Sequence, residues 1–250
     1  QTRDHAICGA RGALRFYLRL IVVTSCSSSE ARAVSMLATL YVVRMLGLFM
    51  VLPLIAIYSA DLAGATPFLL GLAVGAYGLT QASLQIPMGW LSDRIDRRLV
   101  IILGLAMLVL GSVVAALSTS IWGVVLGRFL QGAGAIASAT MALVADYTRA
   151  EQRAKASAII GGSIAIAFGI ALVLGPALAS FGGLQAVFAA TAMLALLGML
   201  VVAFLPKPQR FSREELSSGS GFQRSRLAQV LSIRSLNVMY LSIFFLHLTL

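Results

Sequence analysis

Charged residues and cysteines are scarce in this chain of 250 residues, and each scarcity excludes a class of protein. Only 11% of the residues are charged and 59% are apolar, with a mean hydropathy of +0.93. A soluble domain is about a quarter charged and half apolar, so this class is excluded. Cys8 and Cys26 both precede the first apolar run, so neither a disulfide framework nor a metal site is predicted, and no cofactor is expected.

Long apolar runs predict an all-α membrane protein, because a helix needs about 20 apolar residues to cross the hydrocarbon core and satisfies its own backbone hydrogen bonds. The six predicted spans are Met36 to Tyr58, Phe68 to Leu91, Leu99 to Leu117, Ile121 to Ala145, Ser157 to Ala179 and Leu184 to Leu205. The predicted regions are a disordered or upstream segment (1–29), a six-helix bundle (30–205), a cytoplasmic central loop (206–236) and the start of a seventh helix (237–250). That last segment is too short to span, which predicts an incomplete chain.

The net charge of +10 has a topological pattern. Apart from Arg44 and Arg128, every Lys and Arg lies before span one or in the connections after spans two, four and six. The positive-inside rule assigns that side, and the N-terminus, to the cytoplasm. Nucleic acid is therefore not an expected partner, whereas the lipid bilayer is. Basic residues of the central loop are either solvated or in contact with anionic lipid; they include Arg224, Arg226 and Arg234.

Two arginines lie inside predicted spans, where a charge is costly unless it faces the bundle interior or a wet cavity. Arg44 and Arg128 each lie about 10 to 12 Å from a span end, and they enter from opposite faces. Spans one and four are the first helices of two three-helix units of opposite orientation. The matching arginines therefore fit a 3+3 inverted repeat.

Polar residues at helical spacing extend these two positions into stripes. The candidate cavity residues are Arg44, Tyr77, Gln81, Gln85, Arg128 and Gln131, and Ala135 and Ser138 continue the stripe on span four. The glutamines either line a cavity or hydrogen-bond between helices. Glycines on the same two spans are predicted to allow close helix packing: Gly71, Gly75, Gly78, Gly132 and Gly134.

Between spans two and three, five charges fall within the six residues 93–98. This segment resembles the signature loop G-x-L-x-D-R-x-G-R-R/K of the major facilitator superfamily. The matching residues are Gly89, Leu91, Asp93, Arg94, Arg97 and Arg98, and Asp96 replaces the usual glycine.

Two further motifs support the resemblance, which covers about Glu30 to Leu250. In span four, Arg128 is followed by Gln131-Gly132-x-Gly134. In span five, residues 171–180 resemble the antiporter motif G-x-x-x-G-P-x-x-G-G through Gly175 and Pro176. Residues 44–53 and 146–149 are similar to the bacterial proton-driven drug-efflux branch, which implies an inner-membrane location.

The resemblance implies roles for these motifs. Two six-helix halves would rock about a central substrate site, and the loop bearing Asp93 would latch them on the cytoplasmic side. Asp93 would accept hydrogen bonds from Arg97 and from a helix of the opposite half, with Asp146 in the same network. The alternative is that Arg94, Arg97 and Arg98 only anchor the topology. Gly175 and Pro176 are expected to break helix regularity, either as a seal against leak or as a packing kink.

The expected function is secondary active transport, with proton-coupled efflux of small amphipathic compounds by alternating access. The expected partners are a substrate and protons, and the full-length protein is expected to be monomeric and not an enzyme. No Asp or Glu occurs within the six spans, so His247 and Asp93 are the proton-coupling candidates. The alternatives are a uniporter or symporter of a small polar metabolite, and a non-transporting scaffold or half-transporter.

Overall fold

The computed structural model describes residues 28–58, 62–205 and 238. Within these ranges the chain is helical and contains no strand, which confirms the predicted all-α class. The helices are α1 Ser28–Tyr58, α2 Pro67–Arg94, α3 Arg97–Leu117, α4 Ile121–Ala133, α5 Ala137–Tyr147 and α6 Arg153–Ala203, with a 3-10 turn at Ala150–Gln152. Side-chain caps start three of them: Thr66 before α2, Asp96 before α3 and Ser120 before α4.

Several helix boundaries differ from the predicted ones, and three differences change the arrangement of the helices. The backbone of α1 begins at Ser28, so residues 28 and 29 of the predicted upstream segment belong to the helix. The predicted fourth span consists of α4 and α5, separated by residues 134–136. Spans five and six are the two arms of α6, which meet at Gly182 and Gly183. Gly183 has a φ of 63°, a conformation that glycine adopts without a Cβ penalty.

Among the described residues, five segments are long and apolar enough to cross a membrane: Glu30–Ile55, Pro67–Arg94, Arg97–Leu117, Ile121–Tyr147 and Ala150–Ala203. The last contains 54 residues, and the break at Gly182 and Gly183 divides it into two. This arrangement corresponds to six spans.

Contacts between connections show which ends of the spans lie together. The connections after α1 and α3 meet where the Ile121 amide donates to the Ala63 carbonyl at 3.2 Å. The opposite end brings together the starts of α1 and α3 and the end of α5, through ion pairs of Glu30 with Arg149 and of Arg97 with Asp146. The charged segments 93–98 and 146–153 therefore share one end of the bundle.

A stripe of small residues on α6 packs against α1. Ala167, Ala171, Gly175 and Ala179 recur every four residues and are buried. A Cβ added at Gly175 would lie 3.1 Å from the carbonyl oxygen of Met50, so this position keeps the two backbones close. The predicted break at Gly175 and Pro176 is wrong, because the non-helical dihedrals of α6 occur at the two glycines 182 and 183.

The glycines predicted to allow close packing divide into two groups. Cβ atoms added at Gly132 and Gly134 would collide with backbone carbonyls of α2 and α3, which confirms the prediction for these two. Among the described residues, nothing lies within 4 Å of a Cβ added at Gly71, Gly75 or Gly78, so close packing at these three positions stays a prediction. They lie on a face of α2 that no described helix covers.

Candidate transport site

Arg128 lies at the centre of a polar cluster inside the bundle, with a side chain only 1% exposed. Its Nη1 donates to Gln131 Oε1 at 2.8 Å and its Nε donates to the Ala73 carbonyl at 3.4 Å. Gln131 Nε2 in turn donates to Ser112 Oγ at 2.7 Å. The guanidinium also lies 4.6 Å from the centre of the Tyr77 ring, within cation–π range. This interior cluster therefore joins α2, α3 and α4.

An open groove of about 250 Å³ lies beside this cluster on α2. It is lined by Tyr77, Gly78, Gln81, Ala82, Gln85 and Ala137. The predicted stripe of Tyr77, Gln81 and Gln85 thus shares one face, and the two glutamine Oε1 atoms have no hydrogen-bond partner among the described residues. Arg128 and Gln131 lie behind Tyr77 and do not line the groove.

Arg44 is also buried, with 4% of its surface exposed. Its Nη2 donates to the Gly134 carbonyl at 3.1 Å, in the interruption between α4 and α5. The two intramembrane arginines therefore contact different parts of the fourth span, and neither forms an ion pair within the described residues.

At the charged end of the bundle, Arg97 bridges two carboxylates. Its Nη1 lies 2.9 Å from Asp146 Oδ2 and its Nη2 lies 3.3 Å from Asp93 Oδ1. Nη1 also donates to the Ala142 carbonyl at 2.7 Å. The side chains of Arg97 and Asp146 are 23% exposed and that of Asp93 is 65% exposed. Asp93 is therefore the outermost and most weakly held member of this network.

The other residues of the charged loop have local contacts. Asp96 accepts a hydrogen bond from the Arg98 amide at 3.0 Å and caps α3, which gives the residue at the family's glycine position a structural role. Arg98 Nη2 donates to Tyr147 Oη at 2.6 Å, and the Arg94 guanidinium lies 3.8 Å from the centre of the Trp90 ring. Leu91 is partly buried against the core near Gly89, whose carbonyl accepts from Ser92 Oγ at 2.7 Å.

The sequence analysis did not identify two residues that the structure adds. Ser112 is fully buried and anchors Gln131; its position as a lone hydroxyl within the apolar run of span three was the available signal. Glu30 is 4% exposed and lies 3.5 Å from Arg149. It was missed because span one was expected to begin at Met36, whereas α1 extends back to Ser28.

Several predicted residues lie outside the described ranges. They are Cys8, Cys26, Arg224, Arg226, Arg234 and His247. The same holds for the predicted central loop and, apart from residue 238, for the predicted seventh helix.

Residues 37–250 match the Major Facilitator Superfamily. The chain belongs to this family of transporters. The predicted resemblance is therefore confirmed, and the residues that carry it, around Asp93, Arg128 and Gly175, lie within the matched range.

Curated relatives agree with this assignment. The inner membrane transport protein YajR of Escherichia coli K12 is 48% identical over 222 residues, which cover 88% of this chain and 48% of that protein. The class B tetracycline resistance protein of Escherichia coli is 31% identical over 157 residues, covering 61% of this chain and 38% of that protein. This major facilitator chain thus spans about half the length of the curated relatives it matches.

The fold also resembles that of a solved bacterial homologue of the human lysosomal transporter Spinster, in an inward-facing and unoccupied conformation. The TM-score is 0.62 at 17% identity, over 75% of this chain and 45% of that one. At this identity the likeness concerns the fold alone.

Proposed function

We propose that this major facilitator chain forms one half of a secondary transporter that exports small amphipathic compounds in exchange for protons by alternating access. The observation that carries the proposal is the network in which Arg97 links Asp93 at the end of α2 to Asp146 at the end of α5. This network ties three helices at one end of the bundle, where a change of charge alters how the ends of the helices are held.

The geometry of the network suits a latch between two halves. Arg97 and Asp146 are mostly covered and form the shorter contact, so they make a stable base. Asp93 is mostly exposed, and its carboxylate has acceptor capacity beyond the single contact with Arg97. A second bundle would bind to Asp93 in one state and leave it in the other. Asp93 is also the candidate within the described residues for coupling this exchange to protonation.

The groove on α2 is the proposed part of the substrate path. It is lined by Tyr77, by Gly78, and by Gln81 and Gln85, whose buried Oε1 atoms accept no hydrogen bond from the described residues. This lining suits a compound with an apolar body and hydrogen-bond donors that reach these oxygens. Arg128, held behind Tyr77 by Gln131, would set the electrostatic potential of the groove without being exposed in it.

The proposed location is the bacterial inner membrane, with the N-terminus and the Asp93 network on the cytoplasmic side. The distribution of Lys and Arg supports this orientation, since the connections at the Asp93 end are basic and those at the other end hold none. Relatedness to an inner membrane transport protein supports the location.

The proposal is tested with the full-length transporter in everted membrane vesicles. Ethidium and tetracycline serve as probes, and an imposed pH gradient that is acid inside should drive their uptake. Nigericin, which collapses the gradient, should abolish this uptake. Uptake that persists without the gradient would replace antiport with uniport, and absence of flux for every probe, including small polar metabolites, would favour a non-transporting protein.

A further inference from the structure

The fourth span is interrupted inside the bundle. α4 ends at Ala133, Gly134 has φ −73° and ψ 43°, and α5 begins at Ala137. An interruption removes the helical donors of several carbonyl oxygens, and in lipid these must be satisfied by neighbouring groups. The donors that reach this interruption therefore determine whether its geometry is fixed.

Two side chains of α1 donate to carbonyls on the two sides of the interruption. Arg44 Nη2 donates to the Gly134 carbonyl at 3.1 Å, and Tyr41 Oη donates to the Ala137 carbonyl at 3.3 Å. Both side chains are 4% exposed, and their spacing places them on one face of α1. A single helix thus holds the end of α4 and the start of α5.

The charge of Arg44 suits its position at the end of a helix. The C-terminus of α4 carries partial negative charge from its aligned carbonyls, and a cation there is stabilising. The charge-assisted hydrogen bond to Gly134 is also stronger than one from a neutral donor. Tyr41, with a longer bond and no charge, contributes less.

The opposite side of the interruption is closed by α3. A Cβ added at Gly134 would collide with the Gly104 carbonyl oxygen, and one added at Gly104 would collide with the Ile136 side chain. The interruption is therefore held between the donors of α1 and the backbone of α3.

From these contacts we propose that Arg44 is a positioning residue that fixes the bend between α4 and α5, that is, the backbone geometry of residues 134–136. It does so by donating to the Gly134 carbonyl, with Tyr41 as the weaker second donor. Because Arg128 lies on α4 and Asp146 on α5, this bend sets the placement of the interior cluster relative to the charged end. The inference goes beyond the proposed function and does not depend on which compound is carried.

The test measures a distance across the bend in the full-length transporter. All native cysteines of the full-length protein, including Cys8 and Cys26, are replaced by Ser. Nitroxide labels are attached through Leu126→Cys on α4 and Met141→Cys on α5, both exposed positions. These are 15 residues apart, about 22 Å along a continuous helix, which suits pulsed electron paramagnetic resonance. A control pair, Leu103→Cys and Leu117→Cys, reports on uninterrupted α3.

Arg44→Gln should widen the distance distribution of the pair across the bend and leave the α3 pair narrow. Arg32→Gln, which removes the charge of an exposed arginine on the same helix, should change neither pair. Arg44→Lys keeps the charge and a donor. Its distance distribution across the bend should therefore be narrower than that of Arg44→Gln. An unchanged distribution with Arg44→Gln, or equal widening of both pairs, would overturn the proposal.

If Arg44→Gln does not accumulate in the membrane, Tyr41→Phe tests whether the donors of α1 fix the bend. It removes one hydroxyl without changing charge, so it should widen the same distribution to a smaller extent. A Tyr41→Phe distribution as narrow as that of the unsubstituted protein would then overturn the proposal.

Discussion

The arginines at the charged end and those in the interior have different partners. Arg97 lies between two carboxylates and is partly exposed, whereas Arg44 and Arg128 are buried and contact carbonyls, an amide and an aromatic ring. An arginine that contacts only neutral groups keeps its partners when protons or ions arrive. An arginine between carboxylates loses an attraction when either carboxylate is protonated.

This difference separates the two regions by function. Within the described residues, Arg44 and Arg128 have no acidic partner whose charge could change. Their contacts are therefore suited to fixing the geometry of the bundle. The network of Asp93, Arg97 and Asp146 has partners whose charge can change, and it is suited to switching. We therefore expect interior substitutions to affect stability most, and substitutions at the charged end to affect transport more than stability.

Arg128→Ala should have the largest effect. It removes the cation from the Tyr77 ring, leaves Gln131 Oε1 without its donor and removes a second donor from the Ala73 carbonyl, which costs about 3 kcal/mol. Thermal unfolding of the full-length protein in detergent measures this loss, with the exposed Arg32→Ala as control. Transport should also be abolished. An unchanged unfolding temperature with full ethidium flux would contradict the interior role of Arg128.

Gly111→Ala should have the next largest effect. A Cβ there would collide with the Gly127 carbonyl and lie 2.8 Å from Gln131 Cγ, so α3 and α4 would have to separate beneath the interior cluster. Overpacking of this kind costs about 1 to 3 kcal/mol. Gly78→Ala is the matched control, because an added Cβ there meets nothing within 4 Å. Equal unfolding temperatures for the two variants would show that α3 and α4 accommodate the added methyl group without cost, which would contradict the prediction.

Asp146→Asn should cost less stability, about 1 kcal/mol, because the pair with Arg97 is partly exposed and Asn retains an acceptor oxygen. The reduced attraction should nevertheless lower probe flux. Parallel measurements of unfolding temperature and flux check this, and a large loss of stability with normal flux would assign Asp146 to structure instead.

The sequence allowed much of the fold to be predicted, because apolar runs and the distribution of charge are local signals. The apolar runs predicted the starts of α2, α3 and α4 to within two residues, and the shared charged end follows from the distribution of basic residues. Tyr77, Gln81 and Gln85 also share a face at helical spacing, as predicted.

The interruption after Ala133 could not be predicted, because it depends on long-range contacts. Glycine at position 134 is compatible with a continuous helix, and only the close approach of Gly104 and the donation from Arg44 favour the break. The same reason explains why Arg44 and Arg128 were expected at a cavity. A charge inside a span indicates that a partner exists, but it does not distinguish a carbonyl of a neighbouring helix from a solvated cavity.

Asp93→Asn should have the smallest effect on stability and a decisive effect on transport, and it tests most directly whether the charged end is a switch. Asp93 is 65% exposed, so its pair with Arg97 contributes at most about 1 kcal/mol. Asp96→Asn is the matched control, because it removes a charge from the same loop and Asn also caps a helix.

The deciding measurement is gradient-driven ethidium flux by both variants of the full-length protein, at equal amounts in the membrane and with unfolding temperatures close to that of the unsubstituted protein. We predict that Asp93→Asn abolishes the flux and that Asp96→Asn retains it. Normal flux with Asp93→Asn, or equal loss in both variants, would contradict the assignment of Asp93 to a latch.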